Sequence, residues 1–197
     1  MMGQPYLVFG CSGSGKTTVG ATLASRGYKV VDTDKVLARY EDSTSGHIYE
    51  LSEAKHLKKQ YGELFYKRFR LIWPLDLFNG LVEANDGAVV FCGSGSSVAD
   101  YIPRSRVAFA LIASGEVLTE RLTTRDPARF YPGAYLLERA VNASKRYKKM
   151  FPQSKFPNLV YVDAEAKVDH IANEIEKYIL RDMTVENNHS GDEVHDT

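Results

Sequence analysis

The apolar residues of this chain fall into short continuous runs separated by longer stretches of helical spacing. Residues 6–9, 28–31, 87–92, 107–112 and 159–162 form runs of four to six residues. Runs this short and this uniformly apolar suit strands buried on both faces. Between them, helical patterns cover 17–25, 52–69, 75–84, 115–123, 134–150 and 166–180. The last carries Val168, Ile171, Ile175 and Ile179 along one stripe, the signature of a helix laid on a core. Strands alternating with helices predict an α/β fold, a five-stranded parallel sheet covered on both sides. Two stretches exceed simple crossovers. Residues 35–86 read as a helical insertion rich in aromatic and basic side chains, and 123–133 breaks helical periodicity with Pro127, Pro132 and Gly133. Long polar insertions in a compact domain tend to be functional.

The first turn carries the strongest chemistry. Gly10-Cys-Ser-Gly-Ser-Gly-Lys16-Thr17-Thr18 fits G-x-x-x-x-G-K-[ST], the phosphate-binding loop of nucleoside triphosphatases, between a predicted strand and a predicted helix. Glycines let successive backbone N–H groups turn inward around a phosphate chain, and the helix start adds its own unpaired N–H groups. Ser12, Gly13, Ser14, Gly15, Lys16, Thr17 and Thr18 are therefore the candidate ATP-binding residues. Lys16 reaches the β- and γ-phosphates in such loops, and the Thr17 hydroxyl is a candidate Mg²⁺ ligand.

The second strand runs into Val31-Asp32-Thr33-Asp34, on the sheet edge where doubly wound folds bind ligands. Carboxylates at i and i+2 of an extended chain point the same way. Asp32 is the candidate metal residue, and Asp34 the candidate acceptor-binding residue and base. The alternative for Asp34 is a cap on a helix beginning at Lys35.

With these residues in view, GCSGSGKTTVGATLASRGYKVVDTDKVL resembles the opening of shikimate kinases, and is similar to gluconate kinases and nucleoside monophosphate kinases. The resemblance is good over residues 5–38 and patchy beyond. It implies a P-loop NTPase three-layer sandwich with strand order 2-3-1-4-5, ATP and Mg²⁺ as cofactors, and Asp32 and Asp34 in the metal and acceptor roles. It also implies an acceptor-binding arginine in a G-E-x-x-F-R-like segment. The nearest match, Tyr61-Gly-Glu-Leu-Phe-Tyr-Lys-Arg-Phe-Arg70, leaves Arg68 and Arg70 as candidates. The family's third strand ends in three glycines. Here it ends Cys92-Gly93-Ser94-Gly95-Ser96, so a serine replaces the middle glycine while Gly93, Ser94 and Gly95 remain a candidate acceptor wall. The same strand ends without a carboxylate, unlike motor and switch ATPases, which leaves the metal to Asp32.

Phosphoryl transfer is mostly positioning and charge neutralisation with water kept out, which a mobile arginine-bearing lid supplies. The run from Glu116 to Arg125 resembles the entry into the lid of small kinases. It makes Arg125, then Arg129, the candidates for the transferring phosphoryl group or the nucleotide, with Arg121 packing along its helix. Lys145, Arg146, Lys148 and Lys149 read as a solvated helix face. On the acceptor side, Lys55, Lys58, Lys59 and Lys67 interleave with aromatics. Tyr61, Phe65 and Phe69 recur every four residues as a core stripe, while Tyr66 and Trp73 lie off it as contact candidates. The size of this segment favours a nucleotide-like acceptor, including one within a nucleic acid.

Composition adds limits. The chain of 197 residues is 44% hydrophobic and 25% charged, with no apolar run long enough to span a membrane. The first strand begins too early for a signal peptide, so a cytoplasmic setting is expected. Cys11 and Cys92 form neither a disulfide framework nor a zinc set; both are expected as reduced thiols at strand ends that could lie close together. No histidine pair has metal-ligand spacing. The zero net charge hides an asymmetry: from Asp182 the tail has five carboxylates and no Lys or Arg, leaving 25 basic against 20 acidic residues upstream. Residues 1–181 are expected as one kinase domain and 182–197 as a disordered acidic tail. The sequence therefore predicts an ATP- and Mg²⁺-dependent phosphotransferase acting on a small acceptor, either a nucleoside monophosphate or a hydroxyl compound. The rival is a nucleotide-binding regulatory protein that hydrolyses ATP slowly.

Overall fold

The computed structural model describes residues 3–124 and 133–189. The chain opens with β1 (Gln4–Gly10), α1 (Lys16–Ser25), β2 (Lys29–Asp32) and a short helix α2 (Thr33–Val36). An insertion follows, made of β3 (Arg39–Asp42), β4 (Ile48–Tyr49), α3 (Leu51–Tyr61), α4 (Phe65–Arg68) and β5 (Phe69–Ile72). The rest alternates: α5 (Leu75–Glu83), β6 (Ala88–Gly93), α6 (Val98–Tyr101), β7 (Ala108–Ile112), α7 (Gly115–Thr123), α8 (Gly133–Met150), β8 (Leu159–Asp163) and α9 (Val168–His189). No described helix is long and apolar enough to cross a membrane.

The main sheet has five parallel strands in the order β2-β6-β1-β7-β8. Counted along the parallel strands alone, that order is 2-3-1-4-5. β1 sits in the middle, and Tyr6, Leu7, Val8 and Phe9 have no exposed surface. The register shows that both faces are covered. Val8 lies beside Phe109, whose ring meets Tyr178 of α9 at 5.5 Å. Phe9 points to the opposite face, where it meets Tyr147 of α8 and Phe151, just past the end of that helix, at 5.8 and 5.3 Å. Phe91, on that same second face, meets Phe78 of α5 at 4.4 Å. Helix α1 is held to α9 by Arg26, which donates to Asn173 at 2.7 Å and to Glu176 at 2.9 Å.

The insertion departs from the helical reading of 35–86. A second, three-stranded antiparallel sheet, β4-β3-β5, stands beside the main one. Gly62, at φ +53°, ends α3 and breaks the continuous helix expected over 52–69. The stripe of Tyr61, Phe65 and Phe69 does pack together, with Phe65 and Phe69 stacked at 4.9 Å, but Phe69 already belongs to a strand. With Tyr40 and Ala54 these residues make a second, smaller hydrophobic core. Trp73, expected as a contact residue, is buried in the main core.

The tail also differs from expectation. Helix α9 runs on to His189, so 182–189 is helical; 190–197 lies outside the described residues. The helix propagates from its packed stripe without needing a new one. Its continuation is tied down where the Tyr6 hydroxyl donates to Asp182 at 3.2 Å.

The end of β3 is tied to the end of α4 by an ion pair. Arg68 Nε and Nη2 donate to the Asp42 carboxylate at 3.1 and 2.6 Å. The Asp42 carboxylate is almost wholly covered and also accepts from the Thr44 N–H. The hydrogen bonds from Arg68 are the main reason its pKa lies far below the usual carboxylate range. A lowered folded pKa contributes stability that is complete above the unfolded value near ~4 and drains as pH falls through the folded one. Asp42→Asn should therefore melt below the native protein at neutral pH, with the gap closing as pH is lowered below about 4. Melting curves at a series of pH values measure this; a gap that stays constant under acid would refute it.

Candidate functional site

The loop between β1 and α1 is shaped by its glycines. Gly13 and Gly15 have φ of +88° and +92°, which side chains other than hydrogen resist. A Cβ on Gly10 would stand 2.6 Å from Ser14 Oγ and 2.8 Å from the Leu111 carbonyl oxygen. Helix α1 starts at Lys16 with no side-chain cap, so its first N–H groups face the loop. Lys16 is 8% exposed, and its Nζ donates to the carbonyls of Gly10 at 2.9 Å and Cys11 at 2.8 Å. The Ser14 hydroxyl is buried inside the loop with no hydrogen-bond partner among the described residues. A concave loop with inward donors, an ammonium and an orphan hydroxyl fits a polyphosphate. Ser12, Thr17 and Thr18 lie exposed around it.

Beside the loop is a recess of about 350 Å³ lined by Gly13, Gly15, Thr18, Arg121, Ala166 and Ile171, among others. Arg121 leaves its helix to donate to the Ala164 carbonyl at 2.9 Å, with the Gly13 carbonyl at 3.5 Å. The reading of Arg121 as a helix-packing residue is corrected by this: it forms a wall of the recess next to the loop. Arg125 and Arg129, the lid candidates, lie outside the described residues.

The carboxylate pair is arranged differently from an extended strand. Asp32 is the cap of α2, its Oδ1 accepting from the Asp34 N–H at 3.1 Å while Oδ2 pairs with exposed Lys35 at 3.0 Å. The cap expected of Asp34 at Lys35 thus belongs to Asp32, two residues earlier. Asp34 is thereby turned toward the end of β6, where its Oδ1 accepts from the Ser94 N–H at 3.3 Å. Desolvation of the carboxyl raises the Asp34 pKa; Lys16 and the Ser94 N–H oppose the rise, and Asp32 adds to it. The residue is open to solvent along one side, so it combines access with a recessed carboxyl.

The wall behind Asp34 is built by close contact. Thr33 is fully buried and its hydroxyl donates to the Cys92 carbonyl at 3.1 Å. A Cβ on Gly93 would fall 1.7 Å from Thr33 Oγ1 and 3.0 Å from Asp34 Oδ1. Gly95 lies against the Trp73 indole, and the Ser96 N–H donates to the Leu71 carbonyl at 2.8 Å. Glycine at 93 and 95 is thus set by packing, whereas position 94 contributes its backbone and accepts serine. Cys11 and Cys92 are free and buried, and burial pushes their thiols up to about 11 and about 12.

Neither candidate acceptor arginine is free. Arg68 is bound to Asp42, and Arg70 is hydrogen-bonded to Glu41, its register partner across β3 and β5. Alternation puts Glu41 and Arg70 on the face of the small sheet opposite Tyr40. On the Tyr40 side stand Tyr40 and Arg139, which the sequence left unremarked, together with Lys58. The Tyr40 pKa is raised by burial first and then by Asp34, and lowered by Arg139 of α8, so the hydroxyl senses both charges. Lys58 Nζ sits 5.0 Å from the Tyr40 ring centroid. Lys58 is one of the basic residues that the sequence placed on the acceptor side; nothing in the sequence singled out Arg139 or Tyr40.

No group of three or more His, Cys, Asp or Glu side chains suited to a metal occurs among the described residues. A hydroxyl at Thr17 and a carboxylate at Asp32 nonetheless suit Mg²⁺, which keeps waters and shares phosphate oxygens and one or two carboxylates.

Several solved structures share the architecture. A gluconokinase from Sinorhizobium meliloti 1021 matches with a TM-score of 0.55 and 19% identity over 97% of this chain and 98% of its own. A shikimate kinase from Acinetobacter baumannii in complex with shikimate gives 0.56 and 18% over 91% and 94%. A deoxyadenosine kinase from M. mycoides with bound dATP gives 0.52 and 13% over 88% and 97%. Comparison with curated proteins returns no match. The sequence profile described as shikimate kinase matches residues 12–180, taking in the phosphate loop from Ser12 on, Asp34 and the glycine wall, and by that match the chain belongs to the shikimate kinase family of P-loop kinases.

Proposed function

We propose that this kinase transfers the γ-phosphoryl group of ATP to a hydroxyl of a small anionic compound. The observation that carries this reading is Asp34. Its carboxylate stands against the Ser94 N–H, within the field of Lys16, with a pKa raised by desolvation above the ordinary aspartate value. Asp34 orients the acceptor hydroxyl and takes its proton as the oxygen attacks the γ-phosphorus. Lys16 and the loop N–H groups hold the phosphates; Thr17 and Asp32 would hold Mg²⁺, which would supply further neutralisation of the phosphate charge. Lys58, over the Tyr40 ring, and Arg139, whose charge reaches the Tyr40 hydroxyl, supply positive charge for an anionic group of the acceptor. Arg68 and Arg70, engaged by carboxylates, leave less support for a phosphate-bearing acceptor clamped by that segment. The lid arginines Arg125 and Arg129 complete the reading as closing cations.

The test is acceptor-dependent ADP release over shikimate, gluconate and other hydroxy acids, nucleoside monophosphates and oligonucleotides. Stimulation by a hydroxy acid is expected. Stimulation by mononucleotides or oligonucleotides alone would replace the acceptor class, and no stimulation by any of them would favour a slow ATPase.

The recess beside the loop is assigned to the nucleotide base, with Arg121 as one wall. Arg121→Ala should weaken ATP binding about tenfold, the loss of roughly one charge-assisted contact, and leave the acceptor KM unchanged. Titration with a non-hydrolysable ATP analogue measures the first, and an unaltered analogue affinity would place the base elsewhere.

A further inference from the structure

On the far side of the small sheet from Tyr40 lies a second recess of about 390 Å³, which the phosphotransfer reading does not use. It is lined by β3 and β5, the start of α5, the Ser96–Ser97 turn and α6. Its walls are fixed. The Trp73 N–H donates to Ser97 Oγ at 3.2 Å, the Tyr101 hydroxyl donates to the Trp73 carbonyl, and the Ser96 N–H holds Leu71. Trp73 and Tyr101 are almost wholly buried, so the recess has a rigid floor.

The rim carries charges of both signs. Arg70 and Arg104 supply two guanidinium groups; Glu41 and Asp100 supply two carboxylates. Glu41 engages Arg70, and Asp100 is close enough to raise the Arg70 pKa further. Asp100 and Arg104 are exposed on the same wall. Between these rims lie Ile72, Trp73 and Leu75, an apolar bed.

From this pattern we infer that the recess is a second ligand site, taking a small zwitterion with an apolar body, of the chemistry of a free α-amino acid. A purely anionic ligand would meet Glu41 and Asp100, and a purely cationic one Arg70 and Arg104. A zwitterion sets its ammonium beside the carboxylates and its carboxylate beside Arg104, and lays its side chain on the apolar bed. The inference does not depend on the acceptor reading, because binding can be read without ATP or acceptor.

Trp73 is the single tryptophan of the chain, so its fluorescence reports this recess directly. The full chain is titrated with L-leucine, L-phenylalanine and glycine, and with the N-acetyl and methyl-ester forms of the first two. Leucine or phenylalanine should give a saturable change, with glycine weaker. The blocked forms should bind at least about tenfold more weakly, the loss of one charge-assisted pairing. Asp100→Asn and Arg104→Gln, both exposed positions that tolerate substitution, should each weaken the signal to a similar degree. No saturable change up to about 10 mM of any amino acid would overturn the site. Equal binding of the blocked forms, or a signal unaltered in both variants, would overturn the zwitterion assignment.

Discussion

Asp34→Asn should lower acceptor-dependent ADP release by about 10²–10⁴-fold, the usual contribution of a positioned general base. The substitution is mild in shape. A carboxamide oxygen can still accept from the Ser94 N–H, and the cap on α2 belongs to Asp32, so the local fold is kept. What is lost is the ability to take a proton. ATP binding, which rests on the loop and Lys16, should be largely retained. The pH profile separates this role from a structural one. Transfer needs Asp34 ionised, and desolvation raises its pKa, so activity should fall on the acid side at a pH above the ordinary aspartate value. In Asp34→Asn that limb should vanish from the residual rate. Steady-state rates across pH, with the acceptor found by the panel, check both points. A loss under tenfold with the acid limb intact would remove Asp34 from the base role.

Gly93→Ala should lower transfer on the order of 10²-fold by a different route. The new methyl would stand 1.7 Å from Thr33 Oγ1 and 3.1 Å from its Cβ, and neither atom can retreat. Thr33 has no exposed surface, and its hydroxyl is tied to the Cys92 carbonyl of the strand that ends at Gly93. Forcing one methyl into such a contact costs about 3 kcal/mol. The relief available is to push Thr33 away from β6, which carries Asp34 with it. Displacing a reacting group by about 1 Å costs on the order of 10²-fold in rate. Denaturant unfolding and transfer assays should therefore fall together. Thr33→Ala alone loses one hydrogen bond, about 1 kcal/mol. In the double variant the hydroxyl clash is gone, so the combined destabilisation should be smaller than the sum. Strict additivity would show that the two positions do not meet.

The parts of the molecule legible in sequence are those where one physical demand dominates. A strand buried on both faces must be continuously apolar, so the five parallel strands stand out. A loop that wraps phosphate must spend glycines, so 10–18 is plain. The insertion obeys several weaker demands at once. Tyr61, Phe65 and Phe69 do bury together, and their four-residue spacing reads as one helix. Only the positive φ of Gly62 and the pairing of Phe69–Ile72 with β3 show that the chain turns into a strand. Such pairing is a long-range fact with little local trace. The same applies to charge. The acceptor-arginine segment is readable, but that Asp42 and Glu41 hold Arg68 and Arg70 depends on a register no spacing reveals. Arg121 is the opposite case: its helix is predicted well, but its side chain spans to the Ala164 carbonyl, 43 positions away in sequence. The acidic composition after Asp182 suggests disorder, and a helix continues there because its stripe upstream is already docked.

Among the described residues there are two hydrophobic cores of very unequal size, and this sets an order of events. The smaller holds Tyr40, Ala54, Phe65 and Phe69 as buried members, while the larger runs through the central sheet and its helices. A small core opens at lower free energy than a large one, as a local excursion that leaves the rest folded. The phosphate loop is anchored in the large core through β1 and through α1 on α9; Tyr40 belongs to the small one. On the proposed reading, ATP would meet a loop already in its final shape, whereas the acceptor would rest against a wall that opens locally at lower free energy.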